Sequence, residues 1–365
     1  MEKRIDISEI DKNFKIETKI NKPDLKFYDV SEGHFELYGL HTDDCIEPYH
    51  RMNFEVGKSI SEHIHNLNRC TAGGRIRFKT NSNYIALYND YTIKQIGKSS
   101  HMTTVAASGF DLYVIEDGIQ KFYKTLPPPY DFGDTYETFV DFDSNEEREL
   151  LIHFPLYNGS QKLYIGLQED AYIKSASKYK YEKPIVFYGS SITQGGSVTR
   201  PGIAYENHVS RHFDTDFINL GFSGNAKGEE VMAEYIAKLD MSIFVLDYDH
   251  NAPSAEYLRS THSRFLEIFR RYQPDTPVII MSKTDRRVPK NEMKYILMSR
   301  DVVLETYEKA VANGDKNVYF IDGQKIFDLT CGYDCTVDSC HPNDLGHYSM
   351  ALAVIDCIEK NNLLK

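Results

Sequence analysis

The sequence has no apolar run that approaches the roughly 18–20 residues needed to cross a bilayer, which argues against a membrane-spanning protein. Positive charge is outnumbered by negative charge, with 42 lysines and arginines against 54 aspartates and glutamates. The formal net charge is −12, so nucleic acid and anionic membrane surfaces would be repelled. The first residues, MEKRIDISEIDKNFKIE, are polar and lack the apolar core of a secretory signal. These absences predict a cytoplasmic protein that has neither nucleic acid nor a membrane as a partner.

Cysteine is sparse and tryptophan is absent. The small number of thiols fits a reduced cytosolic protein better than a disulfide scaffold. The six cysteines are Cys45, Cys70, Cys331, Cys335, Cys340 and Cys357. Those between residues 331 and 340, together with His341, offer an alternative interpretation as a metal site, although their spacing matches no common zinc pattern. The sequence therefore predicts free thiols, with no metal and no cofactor.

The first 170 or so residues have the pattern of β-strands. Residues 74–89 alternate apolar and polar side chains, as a half-buried strand does. The predicted face of this strand comprises Ile76, Phe78, Tyr84, Ala86 and Tyr88. Residues 108–125 predict a hairpin that turns at Asp117-Gly118, and RELLIHFPLYN and KLYIGL add further strands. Short strands at this spacing predict a β-sandwich, or jelly roll, over residues 1–175.

Beyond a polar linker at Lys174–Pro184, strands alternate with helices. The predicted strands are Ile185–Tyr188, Phe217–Leu220, Ile243–Leu246, Val278–Met281 and Val318–Ile321. The clearest helix runs to Tyr272 with Ser254 as its N-cap. This alternation predicts an α/β domain over residues 176–365, with a parallel five-stranded sheet covered on both faces. Ligands of such sheets bind at the carboxyl ends of the strands, so functional residues should follow strands.

The stretch YGSSITQGG places Ser190 and Ser191 directly after the first of these strands. A serine in a tight strand-to-helix turn presents its hydroxyl, and a helix N-terminus favours negative charge nearby. The two serines could equally cap a helix. The stretch is not a phosphate loop, because it lacks the GxxxxGK[ST] pattern. Taken alone, it leaves both interpretations open.

The next two strands end in loops that could stabilise an oxyanion. Glycines in NLGFSGNAKG let the backbone approach a ligand and point N–H groups at it, although they would also suit a flexible loop. These glycines are Gly221, Gly224 and Gly228. In LDYDHNAP, Asn251 supplies a neutral amide donor after the third strand. The neighbouring Asp247 and Asp249 are predicted to bind the loop or contact substrate, and His250 is given no catalytic role.

A carboxylate and a histidine follow the fifth strand. In CTVDSCHPNDLGH, Asp338 lies three positions before His341. At this spacing the carboxylate can fix the tautomer and orientation of the imidazole, whose other nitrogen then faces a nucleophile. Four loops of one sheet would thus supply a hydroxyl, glycine amides, an amide side chain and an Asp–His pair. These groups together are what acyl transfer requires.

With these residues in place, the sequence from about Pro184 to the C-terminus resembles the SGNH (GDSL-type) hydrolases. The four landmark residues of that family match Ser191, Gly224, Asn251 and His341. The resemblance implies a flavodoxin-like three-layer α/β/α domain with Ser191 as the nucleophile. It also implies an oxyanion hole formed by the Ser191 and Gly224 amides and the Asn251 side chain. His341 would be the base, and Asp338 its partner.

Two further stretches refine this resemblance. The usual Gly-Asp-Ser of the family reads Gly189-Ser190-Ser191 here, and the third position assigns the nucleophile to Ser191. Ser190 is then a supporting residue. SGFDLY, residues 108–113, resembles the Gly-x-Asp-Leu-Tyr signature of β-rich domains that precede the catalytic domain in one SGNH subgroup.

The family resemblance implies ester hydrolysis through an acyl-serine intermediate. The subgroup with a β-domain resembles carbohydrate esterases, so the expected substrate is a small acyl ester, above all acetyl, of a sugar or oligosaccharide. A thioesterase or a phospholipid- or lipase-type acylhydrolase is the alternative, although a mean hydropathy of −0.47 shows no sign of the apolar surface that long chains need. A further alternative is a carbohydrate-binding protein that has lost catalysis. Its only support in the sequence is Ser190, which replaces the aspartate that is usual in the family. The sequence leaves open whether the protein is a homo-oligomer.

Overall fold

A computed structural model describes residues 16, 18–41, 49–91, 100–285, 290–330 and 332–365. Two of the predicted free thiols, Cys45 and Cys331, lie outside these ranges, as does most of the N-terminal stretch. Within these ranges Cys70, Cys340 and Cys357 are free thiols, and Cys70 and Cys335 are buried.

The strands of the first half form two antiparallel sheets. In chain order they are β1 (Leu25–Asp29), β2 (Glu36–Tyr38), β3 (Arg75–Thr80), β4 (Tyr84–Asp90), β5 (Phe110–Glu116), β6 (Ile119–Leu126), β7 (Thr135–Asp141), β8 (Arg148–His153), β9 (Lys162–Gln168) and β10 (Ile173–Lys174). One sheet has the order β1-β9-β4-β7, and the other has β10-β3-β8-β5-β6 with β2 beside β3. Apolar side chains of both sheets, such as Phe78 and Leu87, share one buried cluster. This arrangement confirms the predicted β-sandwich.

The segment predicted as a single strand face is two strands in different sheets. β3 pairs with β8, whereas β4 pairs with β7 and β9, so the turn between them carries the chain across the sandwich. The crossing shifts the alternation by one residue, and Ile85 and Leu87 are the β4 side chains that enter the core. The prediction was therefore wrong for Tyr84, Ala86 and Tyr88, which lie on the opposite face of β4.

The predicted hairpin is confirmed. β5 and β6 pair over their length on either side of Asp117-Gly118. Both turn residues have positive φ, 51° and 77°, as the tight turn of a two-residue hairpin requires.

The second half contains the predicted parallel sheet. Its strands are β11 (Tyr181–Gly189), β12 (Thr215–Gly221), β13 (Ile243–Asp247), β14 (Val278–Met281) and β15 (Val318–Ile321). Their order, β12-β11-β13-β14-β15, is the flavodoxin-like one. β11 begins earlier than predicted, so residues 175–180 are all that remains of the predicted linker.

Helices cover both faces of this sheet. In chain order the helices are α1 (Phe54–Ile60), α2 (Glu62–Asn68), α3 (Thr104–Ser108), α4 (Tyr205–Phe213), α5 (Glu230–Ile236), α6 (Ala255–Tyr272), α7 (Lys290–Ala312), α8 (Gly323–Ile326) and α9 (Asp344–Asn361). α4 and α9 pack on one face, and α5, α6 and α7 on the other. The Ser254 side chain accepts a hydrogen bond from the Tyr257 amide, which confirms the predicted N-cap of α6. Across the described ranges, no helix has the combination of length and apolar character that spanning a bilayer requires.

Core contacts cross residues 175/176, where the sequence predicts a domain boundary. Ile64 and Leu67 of α2 belong to the same buried cluster as Phe222, which follows β12. The fully buried Arg75 of β3 forms an ion pair with Asp216 of β12. The first half is therefore joined to the α/β half by both apolar and ionic contacts, and the division of the chain at this point stays a prediction.

Candidate active site

Ser191, His341 and Asp338 form a continuous chain of hydrogen bonds. Ser191 Oγ lies 2.9 Å from His341 Nε2, and Asp338 Oδ2 lies 2.8 Å from Nδ1 of the same ring. Because a carboxylate can only accept, Nδ1 carries the ring proton and Nε2 is left to accept from the serine hydroxyl. This is the arrangement of a nucleophile, a base and a carboxylate that orients the base.

Asp338 is held in its ionised form. Partial burial raises its pKa, but hydrogen bonds from the His341 amide, the His341 ring and the Cys340 amide outweigh that effect and lower the pKa to about 2. The two amides lie 2.7 Å and 3.1 Å from Asp338 Oδ1. Ser339, which lies between Asp338 and Cys340, has a φ of 71°, which folds the chain back so that the carboxylate meets the ring. The charge therefore persists throughout the neutral pH range.

The loop that carries His341 does not follow β15 directly. Two helical turns intervene, α8 and a 3₁₀ turn at Phe327–Leu329. The loop is closed by backbone bonds from Val337 N to His341 O (2.9 Å) and from Asn343 N to Cys335 O (2.9 Å). Asn343 also caps α9, since its side chain accepts from the amides of the first turn. His341 is thus fixed between a closed loop and a helix start.

Ser191 lies in a series of turns, and the predicted helix start at this point is wrong. Residues 191–197 form turns, and the next α-helix begins only at Tyr205. Gly195 and Ser197 have φ of 98° and 73°, which a right-handed helix cannot accommodate. Ser190 is fully buried, and its Oγ accepts from the Ile192 amide at 3.1 Å. It therefore supports the turn, as predicted.

The loops after β11, β12 and β13 are linked to one another. The Phe222 amide donates to Gly189 O (2.8 Å), and the Phe222 carbonyl accepts from Asn251 Nδ2 (3.0 Å). A fully buried side chain adds a second link, because Gln194 Oε1 accepts from the Ser223 amide (3.0 Å). These bonds fix the position of the Asn251 amide group and leave its second N–H to point elsewhere. Sequence reasoning missed Gln194, whose role depends on a contact with another loop.

The Gly224 and Ser191 amides are available as donors. Gly224 is exposed with a φ of 69°, and a Cβ built on it would meet no atom within 4 Å. Within the part of the chain that the structure describes, neither amide donates to a protein acceptor. With Asn251, they lie beyond the ends of three adjacent strands. The structure therefore brings the predicted donors to the same sheet edge as the nucleophile.

Arg51, from the first half, supports the loop after β12 and was also missed. Its buried guanidinium donates to Leu67 O (2.6 Å) and Gly221 O, and lies 4.5 Å from the centre of the Phe222 ring. Burial lowers its pKa to about 10. No local pattern around Arg51 indicates this role, because its partners lie far away in sequence.

The charged neighbours of Asn251 are internal groups. Asp247 is buried and accepts from Thr193 Oγ1 (3.4 Å), and the fully buried Asp249 accepts from the Lys283 amide (2.9 Å). Both aspartates hydrogen-bond to groups of the neighbouring loops, which is the first of the two predicted roles. The structure gives no reason to assign them a contact with substrate. His250 lies outside the triad, as predicted, and burial lowers its pKa well below the usual histidine range.

The described members of the alternative metal set, Cys335, Cys340 and His341, have different surroundings. Cys335 is fully buried in the apolar core under α9. Cys340 lies instead with His250 and Asp285, and potential ligand atoms of these three lie within 4.8 Å of one another. Burial and the positive charge of Lys283 lower the pKa of His250, and burial raises the pKa of Asp285 to about 7 against the opposing effect of Lys283, so Lys283 acts on both groups. This charge disfavours a cation among the three side chains.

The Gly-x-Asp-Leu-Tyr signature joins the two halves. The buried Asp111 carboxylate accepts from Arg200 Nη1 (2.9 Å) and from the Gly202 amide (2.7 Å). The Tyr113 hydroxyl contacts the same pair, accepting from Arg200 Nη1 (2.6 Å) and donating to Gly202 O (3.2 Å). Both partners belong to the segment that follows the nucleophile turn. The signature therefore fixes the β-sandwich against that segment.

Replacing Asp111 with alanine should lower the free energy of unfolding by about 2–4 kcal/mol, because Arg200 and the Gly202 amide would lose a buried acceptor. Denaturant unfolding followed by circular dichroism measures the change, since the chain has no tryptophan to report it. Asp131→Ala, an exposed aspartate of the same half, is the matched control. Equal stability of the two variants would contradict this role for the signature.

A groove of about 440 Å³ lies where the two halves meet. It is lined by Ser100–Thr103 from the first half and by Ser197, Thr199, Val337 and Asn343–Leu345 from the second. Its polar groups are partly paired already, since Asp344 accepts from the Thr199 amide (2.8 Å) and hydroxyl (2.7 Å). Val337 and Leu345 remain about half exposed. The groove adjoins His341, because the ring of His101 stacks on that of the base.

Comparison with known proteins agrees with this geometry. A sequence profile of the GDSL-like lipase/acylhydrolase family matches residues 182–359, and a profile for the N-terminus of SGNH-hydrolase-type esterases (GxDLY) matches residues 25–173. The crystal structure of a GDSL-like lipase from Bacteroides ovatus is 32% identical in sequence. The alignment covers 93% of this chain and 99% of that one, with a TM-score of 0.85. Among curated protein sequences, none matches the chain.

More distant structures share the fold. A salicylyl-acyltransferase from a tetracycline biosynthetic pathway is 18% identical over 94% of this chain and 99% of that one, with a TM-score of 0.76. A family two carbohydrate esterase from Clostridium thermocellum is 12% identical over 93% and 99%, with a TM-score of 0.61. Both alignments extend across the β-rich and the α/β halves of this chain.

Proposed function

The chain belongs to the GDSL-like lipase/acylhydrolase family, and from that premise we propose that it is a serine esterase that removes small acyl groups, above all acetyl, from sugars. The observation that carries the proposal is the chain of hydrogen bonds from Ser191 through His341 to Asp338. The fold shared with family two carbohydrate esterases supports a sugar as the alcohol.

In the proposed reaction, Ser191 Oγ attacks the ester carbonyl while His341 Nε2 takes the hydroxyl proton. The Ser191 and Gly224 amides and the Asn251 side chain stabilise the negative charge that develops on the carbonyl oxygen. The tetrahedral intermediate collapses, the sugar oxygen leaves with the proton from His341, and the acyl group stays on Ser191. A water molecule then repeats the sequence, which releases the acid and restores the serine.

The groove suits the alcohol portion of the substrate. His341 must deliver its proton to the leaving oxygen, so the alcohol has to lie on the side of the site where the groove adjoins this ring. A volume of about 440 Å³ is in the usual range for small-molecule sites. Its lining combines hydroxyl and carboxylate groups with Met102, Val337 and Leu345, a mixture that fits the polar edges and apolar faces of a sugar ring.

Two assays test the proposal. Initial rates with p-nitrophenyl acetate and octanoate compare acyl lengths, and acetylated oligosaccharides and a phospholipid then compare alcohols. We expect kcat/KM to favour acetyl over octanoyl by at least about tenfold, since each extra methylene that lacks a pocket loses binding energy. A preference for octanoyl or phospholipid would favour the lipase-type alternative, and a preference for acetyl-CoA the thioesterase. No hydrolysis of any ester would contradict the proposal.

Replacing Asn251 with alanine should lower kcat by about 10²–10³ with little change in KM, the usual loss for one oxyanion donor. Steady-state kinetics on an acetyl ester measure both values. Asn251→Asp keeps the shape but places a negative charge beside the developing oxyanion, so it should lose at least as much. A change confined to KM would show that Asn251 binds the ground-state substrate instead.

A further inference from the structure

His101, from the first half, lies directly against the proposed base. The imidazoles of His101 and His341 are stacked, with centroids 4.5 Å apart and planes at 15° to each other. Neither the composition nor any motif of the sequence indicates this contact, which joins residues 240 positions apart.

The His101 ring is held in place by the segment that follows the nucleophile. Its Nδ1 lies 2.8 Å from Ser197 Oγ, and the Ser197 amide donates to Met102 Sδ at 2.9 Å. Ser197 is nearly fully buried, and its φ of 73° is uncommon for a residue with a side chain. The stacking partner is therefore fixed to the same turn that carries Ser191, and the geometry of the stack depends on the joining of the two halves.

The charge of His101 decides whether the stack helps or hinders the base. During acyl transfer the His341 ring becomes an imidazolium, which the face of an uncharged aromatic ring attracts. A protonated ring at the same place would repel it. The charged groups around His101 are His341 and Asp338 in the loop before α9, and Asp344 across the groove. Burial and His341 lower the pKa of His101 against the opposing effect of Asp338, which favours the uncharged ring.

We propose that His101 is a positioning residue for the base: its uncharged ring orients the His341 imidazole toward Ser191 and stabilises the imidazolium form of His341. Only one proton moves in the step, from Ser191 Oγ to His341 Nε2, and His101 neither gains nor loses one. The inference rests on the proposed function, because it requires His341 to act as the base.

A pair of planar replacements that differ in charge tests the proposal. His101→Phe keeps an uncharged ring, and His101→Arg places a planar cation over His341. We expect His101→Phe, which keeps the ring but loses the contact with Ser197 Oγ, to lower kcat by about threefold, and His101→Arg to lower kcat by about tenfold or more beyond that, with little change in KM. The rate would be measured on an acetyl ester from about pH 5 to pH 9.

The pH profile separates positioning from simple packing. A fixed positive charge makes the proton on His341 less stable, so in His101→Arg the acid limb of kcat/KM should move to lower pH, and high salt should reduce the shift. His101→Lys carries the same charge without the planar bulk. It is used in place of His101→Arg if the arginine variant unfolds at a lower temperature than the natural protein. His63→Phe and His63→Arg, at an exposed position of α2, are the matched controls and should leave the profile unchanged.

Equal rates and equal midpoints in the Phe, Arg and Lys variants would overturn the inference, because the ring would then only fill space. That result is distinct from a failure of the proposed function. If the natural protein shows no ester hydrolysis that depends on Ser191, the proposed function itself is wrong. If such hydrolysis is present but does not respond to the charge at position 101, only the role of His101 is wrong.

Discussion

Replacing Ser191 with alanine should lower kcat on an acetyl ester by at least about 10³-fold, because the variant lacks the oxygen that attacks the carbonyl. Among the described residues the hydroxyl hydrogen-bonds to His341, whose side chain is partly exposed, so its loss removes one hydrogen bond at a partly exposed position. The fold should therefore stay intact, with an unchanged circular dichroism spectrum and unfolding midpoint. Steady-state kinetics and a thermal melt measure the two properties separately.

Ser190→Ala is the matched control, since the two serines are adjacent and differ in their surroundings. Ser190 is fully buried and its hydroxyl accepts from the Ile192 amide, so its loss should weaken the turn and cost about tenfold in kcat or less. An inactive Ser190→Ala beside an active Ser191→Ala would show that the nucleophile has been assigned to the wrong residue. It would also remove the basis for any role of His341 as a base.

The positions of most candidate-site residues along the sheet edge could be predicted from the sequence, because one general rule applies there. Parallel strands end at one edge, so residues that follow β11, β12 and β13 must lie near each other, whatever the loops do. This reasoning located Ser191, Gly224 and Asn251 at one edge, and the structure places them there. For His341 the rule gave the right edge although helical turns separate it from β15.

The errors arose where a local pattern has two structural solutions. The alternation through residues 74–89 is compatible with one long strand, and only the pairing of β3 and β4 with different partners reveals the crossing. Likewise, the residues after Ser191 have no strong helix breaker except glycines, which a helix can tolerate. The positive φ of Ser197, a residue without glycine's freedom, depends on contacts with His101 and Met102.

Two of the residues that sequence reasoning missed share one property. Arg51 and His101 come from the first half and act on loops of the second, where their partners Gly221 and Ser197 lie more than 80 positions away. Such contacts leave no periodicity or spacing in the chain. They also explain how the β-sandwich contributes to the candidate site: it supplies a wall of the groove, a support for the loop after β12 and the ring that stacks on His341.

Removing the base or its partner should be nearly as damaging as removing the nucleophile. His341→Ala should lower kcat by at least about 10³-fold, and Asp338→Asn by about 10³–10⁴-fold, because an amide stabilises the wrong imidazole tautomer and cannot balance the imidazolium charge.

The natural protein's kcat/KM should rise with pH through a single ionisation and then level off, since only unprotonated His341 can accept the Ser191 proton.

The low pKa of Asp338 excludes this carboxylate as the source of that ionisation. Its pKa of about 2 means that the carboxylate is already charged well below the pH range of the assay, so loss of its charge does not account for a fall in activity toward mild acid. The stabilising effect of the Asp338 charge is likewise complete above the ordinary carboxylate range and is lost only as the pH falls toward about 2. Unfolding measured at the pH values of the assay should therefore show no loss of fold from this group.

A double variant tests whether Ser191 and His341, 150 positions apart, act as one unit. Once the attacking oxygen is gone the base has no proton to accept, so adding His341→Ala to Ser191→Ala should lower kcat by less than about threefold further. Residual hydrolysis in both variants would come from the oxyanion donors and substrate binding alone. Losses that multiply, so that the double variant falls by the product of the single effects, would mean that the two residues act independently and that the hydrogen bond between them is not used in the reaction.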